Sequence, residues 1–366
     1  MHIGEREAKW LMIVLFLSKL LFMGVRQYVA GGGTAAWIQA AWCGAAALAV
    51  FAVLSRLYRQ FEGRGLFDLT EYAFGAPGLK LIGAALFLLI TVDTAMLLRM
   101  YADTIASITL STSPAFYIML FLLAAIIVSA LAGVEAVAKY SYVAGICIVA
   151  LLAVLFAMDV PNLHTENILP ILGNGPKALL TGIGGADIYA DMLFLFFLTP
   201  YLSKDGAYRR AGYKAIAVGA AVIVLTTLVY TLNVPYPASA EFTLPVLEIS
   251  SAISVDVIFQ RAESIFLVLW IFSGFLSLGA LFCFALFACK ETFHLQNHRA
   301  VIGALAVIVT ALAMTAGNFS EYQWFYIKFH QGFTIAAFVL PIFIFTAARI
   351  RRRLQKGGDR HEKQTV

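Results

Sequence analysis

The chain has 366 residues, 61% of them hydrophobic and 13% charged, with a formal net charge of +5, and its mean hydropathy is +0.85. Soluble domains carry about a quarter charged and about 45–50% apolar residues. The composition therefore excludes a water-soluble fold, and the length goes into membrane spans rather than two soluble domains.

Apolar runs bounded by charge, glycine or proline predict ten spans, over residues 10–29, 37–58, 81–105, 114–132, 142–158, 176–201, 215–234, 262–288, 300–316 and 331–348. Several reach or pass the roughly 20 residues that cross a bilayer as helix. The first run carries Lys19 and Arg26 and precedes no small-residue cleavage pattern, so it reads as a span and not as a cleaved signal peptide. The whole chain, 1–366, reads as a single all-α integral membrane domain. Cys43, Cys147, Cys283 and Cys289 sit in or beside apolar runs without metal or redox spacing, and read as reduced packing residues.

Basic residues set the expected orientation. With the N-terminus inside, the inner segments hold 20 of the 26 Lys and Arg, and the outer loops hold Lys177, Arg261 and Lys328. The positive-inside rule then holds along the whole chain and places both termini in the cytoplasm. An odd number of spans breaks this alternation. The basic tail, 349–366, reads first as a topology anchor with a solvated end, and second as a patch for anionic lipid or a partner.

Ten spans allow two inverted halves of five, at about 10–158 and 176–348, the plan of many secondary transporters. Interruptions fall at matching places in the two halves. The first span ends in Gly24-Val25-Arg26 and runs into Gly31-Gly32-Gly33; the sixth contains Gly182-Ile183-Gly184-Gly185-Ala186-Asp187. Broken helices of this kind build binding sites near the midplane.

Ionisable side chains inside a membrane face protein or water and mark function by default. The first span offers Lys19 and Arg26, seven residues apart and on one face. The third offers Asp93, Arg99 and Asp103, the last two spaced i,i+4; the sixth offers Asp187 and Asp191, also i,i+4; the eighth opens with Glu263. These groups could neutralise one another across the first, third, sixth and eighth spans. In a functional reading, Asp187 and Asp191 receive a ligand's ammonium group, and freed backbone N–H groups or Arg26 take a carboxylate. In a structural reading, the same charges are internal ion pairs. The candidate ligand-binding set is Lys19, Gly24, Arg26, Asp93, Arg99, Gly184, Gly185, Asp187, Asp191 and Glu263.

Other signals are weaker. His294 and His298 have i,i+4 spacing without a third ligand, so no metal is expected. Trp270 and Tyr101 could line a pocket, although aromatic residues in such helices more often pack. No nucleophile triad, phosphate loop or paired-carboxylate pattern stands out, so neither an enzyme nor a cofactor is expected, and nothing points to nucleic acid.

A series of short matches runs along the chain in order: Trp37-Ile38; Leu69-Thr70-Glu71-Tyr72 with Gly75 and Gly78; Thr112-Ser113-Pro114; Gly133-Val134-Glu135-Ala136-Val137-Ala138-Lys139; Asn167-Ile168-Leu169-Pro170-Ile171-Leu172; Thr199-Pro200-Tyr201; Pro235-Tyr236-Pro237; and Gln260-Arg261-Ala262-Glu263-Ser264 with Trp270-Ile271. In these the chain resembles the spore-germination permease family, the multispanning B subunit of nutrient germinant receptors in endospore-forming bacteria. The resemblance implies the ten-helix, 5+5 inverted-repeat (LeuT-type) fold of the amino acid–polyamine–organocation superfamily. It also implies a nutrient sensor, commonly of amino acids, in the spore inner membrane. Its implied partners are an A-type membrane subunit and a C-type lipoprotein, and its pocket lies among the first, third, sixth and eighth spans. Arg26 resembles the Arg that often follows Pro after the family's first span, and Glu263 the acid that opens the eighth. The chain departs from the family where Gly-x-Gly is usual, reading Ser18-Lys19-Leu20, and where Pro precedes the Arg, reading Val25. Either the ligand differs, or Lys19 takes the place of a cation.

Three functions are compatible with these residues. The first is ligand sensing, in which a mid-membrane nutrient signals to partner subunits. The second is proton-coupled amino acid transport on Asp187, Asp191 or Asp93. The third is a structural membrane subunit whose pocket has decayed.

Overall fold

The computed structural model describes residues 2–110, 112–202, 206–253, 262–296, 299–315 and 319–362; Lys204, Gln260, Arg261, His298 and Lys363 lie outside them. The described residues are helical, with one isolated bridge between Ile3 and Leu202. This suits a chain whose backbone polar groups must be satisfied without water.

The helices are α1 (Glu5–Lys19), α2 (Val25–Gly32), α3 (Ala36–Tyr58), α4 (Leu66–Ile108), α5 (Ala115–Ala132), α6 (Val134–Asp159), α7 (Pro176–Thr181), α8 (Leu195–Leu198), α9 (Ala207–Asn233), α10 (Pro245–Ala252), α11 (Ala262–Phe293), α12 (Arg299–Ala313) and α13 (Phe319–Glu362). Two starts are capped by a carboxylate reaching back to an orphan N–H. Gly4 donates to Glu7 at 2.5 Å, and Gly65 donates to Asp68 at 2.9 Å.

Eight helical stretches among the described residues are long and apolar enough to cross a membrane. The first, Glu5–Phe61, has 57 residues and turns at Gly33, whose φ of 61° suits glycine alone, so that α2 and α3 pack together. The 15-residue α12 is shorter than the rest. The ten apolar runs thus correspond to eight stretches, one of them broken, plus a short helix.

Several boundaries differ from the sequence reading: α6 and α9 each begin eight residues before their apolar runs. α4 begins fifteen residues before its apolar run, because a separate helical piece joins it across Gly75 (φ 74°) just ahead of Pro77. α13 begins at Phe319, twelve residues before its apolar run at residue 331, because Lys328 and His330 interrupt hydropathy without interrupting the helix. The short helix α10, absent from the sequence reading, follows α9 and packs on α11, α9 and α2.

The core is organised around the two broken segments. Between α1 and α2 the chain forms a π-helical turn, Leu20–Gly24. Between α7 and α8, beyond a non-helical Gly182, it runs as a 3-10 helix, Ile183–Phe194. At 12 residues that run far exceeds the three or four usual for a 3-10 helix, and such stretches often mark either a functional hinge or a strained sequence. The two segments contact each other, and the 3-10 run also packs against α13, α1 and α3. At the end holding the N-terminus, Glu5 ties α1 to α9 through Arg210 and Lys214, each at 2.7 Å. At the same end the basic end of α13 bonds to the segment before α4 and to the start of α4, Arg352 to the Gln60 carbonyl at 2.8 Å and Arg351 to the Tyr72 carbonyl at 2.5 Å.

Candidate functional site

The site begins with a lysine where the apolar pattern predicts an apolar residue. Lys19 is the last residue of α1 and is buried, with 6% of its surface exposed. Its ammonium lies 2.7 Å from Oδ1 of Asp191, which is fully buried on the 3-10 run. Isolated, either charge costs several kcal/mol in such surroundings, so each requires the other. The broken first and sixth segments are therefore joined by one buried ion pair.

A second buried pair stands beside the first. Oδ1 of Asp93, on α4, lies 3.1 Å from Nε2 of His330, on α13, and both side chains are 1% exposed. The contact falls short of a well-directed hydrogen bond, leaving both Asp93 oxygens and both His330 nitrogens without one among the described residues. Oδ2 of Asp191 is likewise without a hydrogen bond. Asp93 and Asp187 lie within Coulombic reach of Lys19. Asp187 accepts a hydrogen bond from Gln27 at 3.3 Å. Lys19, Asp191, Asp93, Asp187 and His330 thus form one cluster drawn from α1, α4, the 3-10 run and α13.

Aromatic side chains wall the cluster. Tyr101 stacks on Trp270 at 4.8 Å between centroids, and Phe22 stands 5.2 Å from Tyr101 and 5.9 Å from Trp270. Ser18, next to Lys19, shares a 3.1 Å hydrogen bond with the Tyr101 hydroxyl. Tyr326 lies 4.1 Å from the His330 ring, and the Lys19 ammonium stands 5.7 Å from the Phe333 ring. The Trp270 Nε1 and the Tyr189 hydroxyl are buried without hydrogen bonds among the described residues. Buried unpartnered donors and acceptors are costly, and in a native protein each calls for a water, ion or ligand group.

Glycines let these segments approach. A Cβ on Gly185 would stand 2.1 Å from the Tyr28 ring, whose hydroxyl donates to the Gly185 carbonyl at 2.8 Å. A Cβ on Gly24 would meet Ile188 at 2.7 Å, and one on Gly274 would meet Tyr101 at 2.2 Å. Gln39 hydrogen-bonds the Gly182 carbonyl, taking up the backbone group freed by the break.

Of the expected set, the structure brings Lys19, Asp93, Asp187 and Asp191 together, with Gly24 and Gly185 at the two breaks. Gly184 lies on the 3-10 run and its surroundings are outside the described residues. The remaining three stand apart. Arg26 turns to the turn before α10 and donates to the Ala240 carbonyl at 3.2 Å. Arg99 pairs with Asp103 at 2.8 Å and donates to the Ala313 carbonyl at 3.2 Å, the end of α12. Glu263 sits in the first turn of α11, one residue of helix after its start, and the eighth span contributes Trp270 to the cluster instead. The ionisable groups of the cluster thus come from the first, third and sixth predicted spans and from α13. His330 is missing from the sequence-derived set because it lies one residue before the predicted start of the tenth span. Its signal was a lone ionisable ring at the edge of an apolar run, which is itself a mark of function in a membrane.

A family model described as spore germination protein matches residues 5–321. The chain belongs to the spore germination protein family. Spore germination protein YndE of Bacillus subtilis (strain 168) is similar, 20% identical over 327 residues, 87% of this chain and 88% of YndE. Among solved structures, MHP1, a nucleobase-cation-symport-1 family transporter in a closed conformation with bromovinylhydantoin bound, is similar with a TM-score of 0.59. It is 13% identical, and the match covers 94% of this chain and 77% of that one. This likeness shows the fold, an all-helical membrane architecture of the LeuT type. Family and fold together support a germination permease or transporter role. In this germination protein, the departure from the usual first-span pattern at Ser18-Lys19-Leu20 has a definite setting: Ser18 holds Tyr101 and Lys19 holds Asp191.

Proposed function

We propose that this protein is the nutrient-recognition subunit of a spore germination receptor, binding a small molecule, an amino acid first of all, beside the two helix breaks. The observation that carries this reading is the 2.7 Å ion pair between Lys19 and Asp191, which joins the π turn of the first segment to the 3-10 run of the sixth. A ligand that interacts differently with the joined and parted arrangements shifts the equilibrium between them, and partner subunits read the shift. Those partners are an A-type membrane subunit and a C-type lipoprotein. Ligand contacts fall to Lys19, Asp187 and Asp191, with Asp93 and His330 behind them and Gly24, Gly184 and Gly185 giving close backbone approach. Arg26, Arg99 and Glu263 stand outside these contacts. The chain crosses the spore inner membrane ten times as a 5+5 inverted repeat, with Glu5–Phe61 divided at Gly33 and α12 counted, and both termini are cytoplasmic. Its work is binding and signalling, without catalysis.

The test compares ligand binding with germination. Removing the A and C partners abolishes the germination response and leaves amino acid binding by the purified protein intact. Accumulation of labelled amino acid by the isolated protein, driven by an ion gradient, would overturn the sensing role.

One observation favours a second reading, proton-coupled transport. Asp93 and His330 form a buried pair of titratable groups next to Asp191 and Lys19, the kind of arrangement that relays protons in pumps and transporters. In that case proteoliposomes show pH-dependent uptake that Asp191→Asn abolishes.

A further inference from the structure

At the end of the bundle opposite the N-terminus, a cavity of about 560 Å³ lies between the last turns of α4 and the segment that includes the start of α10. Its polar lining is Asp103, Thr104 and Ser107 from α4, and Thr243 and Glu248 from the other side, while Leu244 and Leu247 supply apolar wall. The volume falls within the range of about 300–1,000 Å³ usual for small-molecule sites.

Among the described residues that line the cavity, Asp103 and Glu248 are the charged ones. Arg99 neutralises one carboxylate by its 2.8 Å contact to Oδ2 of Asp103, and its other contact, to the Ala313 carbonyl, holds it against α12. Glu248 has no ion-pair partner among the described residues. Thr104 is 4% exposed, and its buried hydroxyl has no hydrogen-bond partner among them. An unpaired carboxylate, an unpartnered hydroxyl and an aliphatic wall together ask for a monocation with an apolar body. The described residues hold no group of three or more His, Cys, Asp and Glu placed for a metal ion, and leucine side chains suit a hydrated cation poorly.

We infer that this cavity is a second binding site, separate from the Lys19–Asp191 cluster, for small primary ammonium compounds with an aliphatic body. Glu248 takes the ammonium, Thr104 and Asp103 offer acceptors, and Leu244 and Leu247 cover the aliphatic part. α10 carries Leu247 and Glu248 and also packs against the Leu20–Gly24 π turn. A ligand held here therefore bears on the element that touches the first helix break.

The test reads this cavity alone. Full-length protein carrying Cys147→Ser, which removes the exposed native thiol, and Leu247→Cys is placed in nanodiscs and labelled with a water-soluble maleimide. Millimolar n-butylamine slows labelling by at least about fivefold, the effect of near-saturating occupancy, while butyrate and 1-butanol do not. Adding Glu248→Gln removes the protection, read as the ratio of labelling rates with and without n-butylamine in the same variant, and adding Glu248→Asp retains it. Absence of protection by n-butylamine, equal protection by butyrate or 1-butanol, or protection that survives Glu248→Gln overturns the site. Protection persists when Lys19→Met and Asp191→Leu are made together, the pair that leaves no buried charge alone, so the outcome is independent of the function proposed for the central cluster.

Discussion

Lys19 and Asp191 lie 172 residues apart in sequence and 2.7 Å apart in space, in a site from which both are nearly sealed. Each sits at a departure from α-helix, one at the entry to a π turn and the other within a long 3-10 run. The pair therefore ties together the two segments that depart from α-helix in the core.

Removing one partner leaves a buried charge alone. Lys19→Met is expected to destabilise the protein by roughly 3–5 kcal/mol, and Lys19→Met with Asp191→Leu to recover most of that loss, because a matched apolar pair carries no desolvation cost. A double-mutant cycle by denaturation in detergent checks this. If the double variant folds and fails to respond to nutrient, the pair acts in signalling and not in stability alone.

The Asp93–His330 contact makes a parallel case on α4 and α13. His330→Leu should destabilise by about 3–5 kcal/mol by leaving Asp93 without its facing group. Adding Asp93→Asn should restore part of the loss, since a neutral amide is cheaper to bury than a carboxylate. Equal stability of His330→Leu with and without Asp93→Asn in thermal unfolding counts against the coupling.

Glycine substitutions separate backbone room from side-chain room. Gly274→Ala places a methyl 2.2 Å from the Tyr101 ring, which is stacked on Trp270, and should cost about 1–3 kcal/mol and shift tryptophan fluorescence. Gly24→Ala meets only the terminal methyl of Ile188 at 2.7 Å, which can turn away, so its cost should be smaller. Parallel melts and emission spectra of the two variants decide the order.

Arg26 is expected to act on a turn outside the cluster. Arg26→Ala removes its hydrogen bond to the Ala240 carbonyl, worth roughly 1.5–3 kcal/mol for a charged donor. Hydrogen exchange should therefore quicken around residues 238–247, with amino acid binding at the central cluster retained. Lost binding without faster exchange would return Arg26 to the ligand site.

Much of this fold is legible in the chain because a membrane imposes a simple rule. A span must be long, apolar and internally hydrogen-bonded, and hydropathy alone shows where that holds. The breaks are legible for a related reason: Gly24, Gly182 and Gly185 stand where a helix crossing a bilayer gains nothing from glycine unless the backbone must bend or be approached. The same rule marks Lys19, Asp93, Asp187 and Asp191 as groups that need partners. Helix periodicity sets the face a side chain occupies but not the neighbour across from it. Only the tertiary structure decided that Lys19 meets Asp191, that Asp93 meets His330, and that Arg26 leaves the cluster for the Ala240 carbonyl. Those choices depend on how α1, α4, α13 and the 3-10 run pack, and on energies of a few kcal/mol for each pairing, which no local pattern of residues encodes.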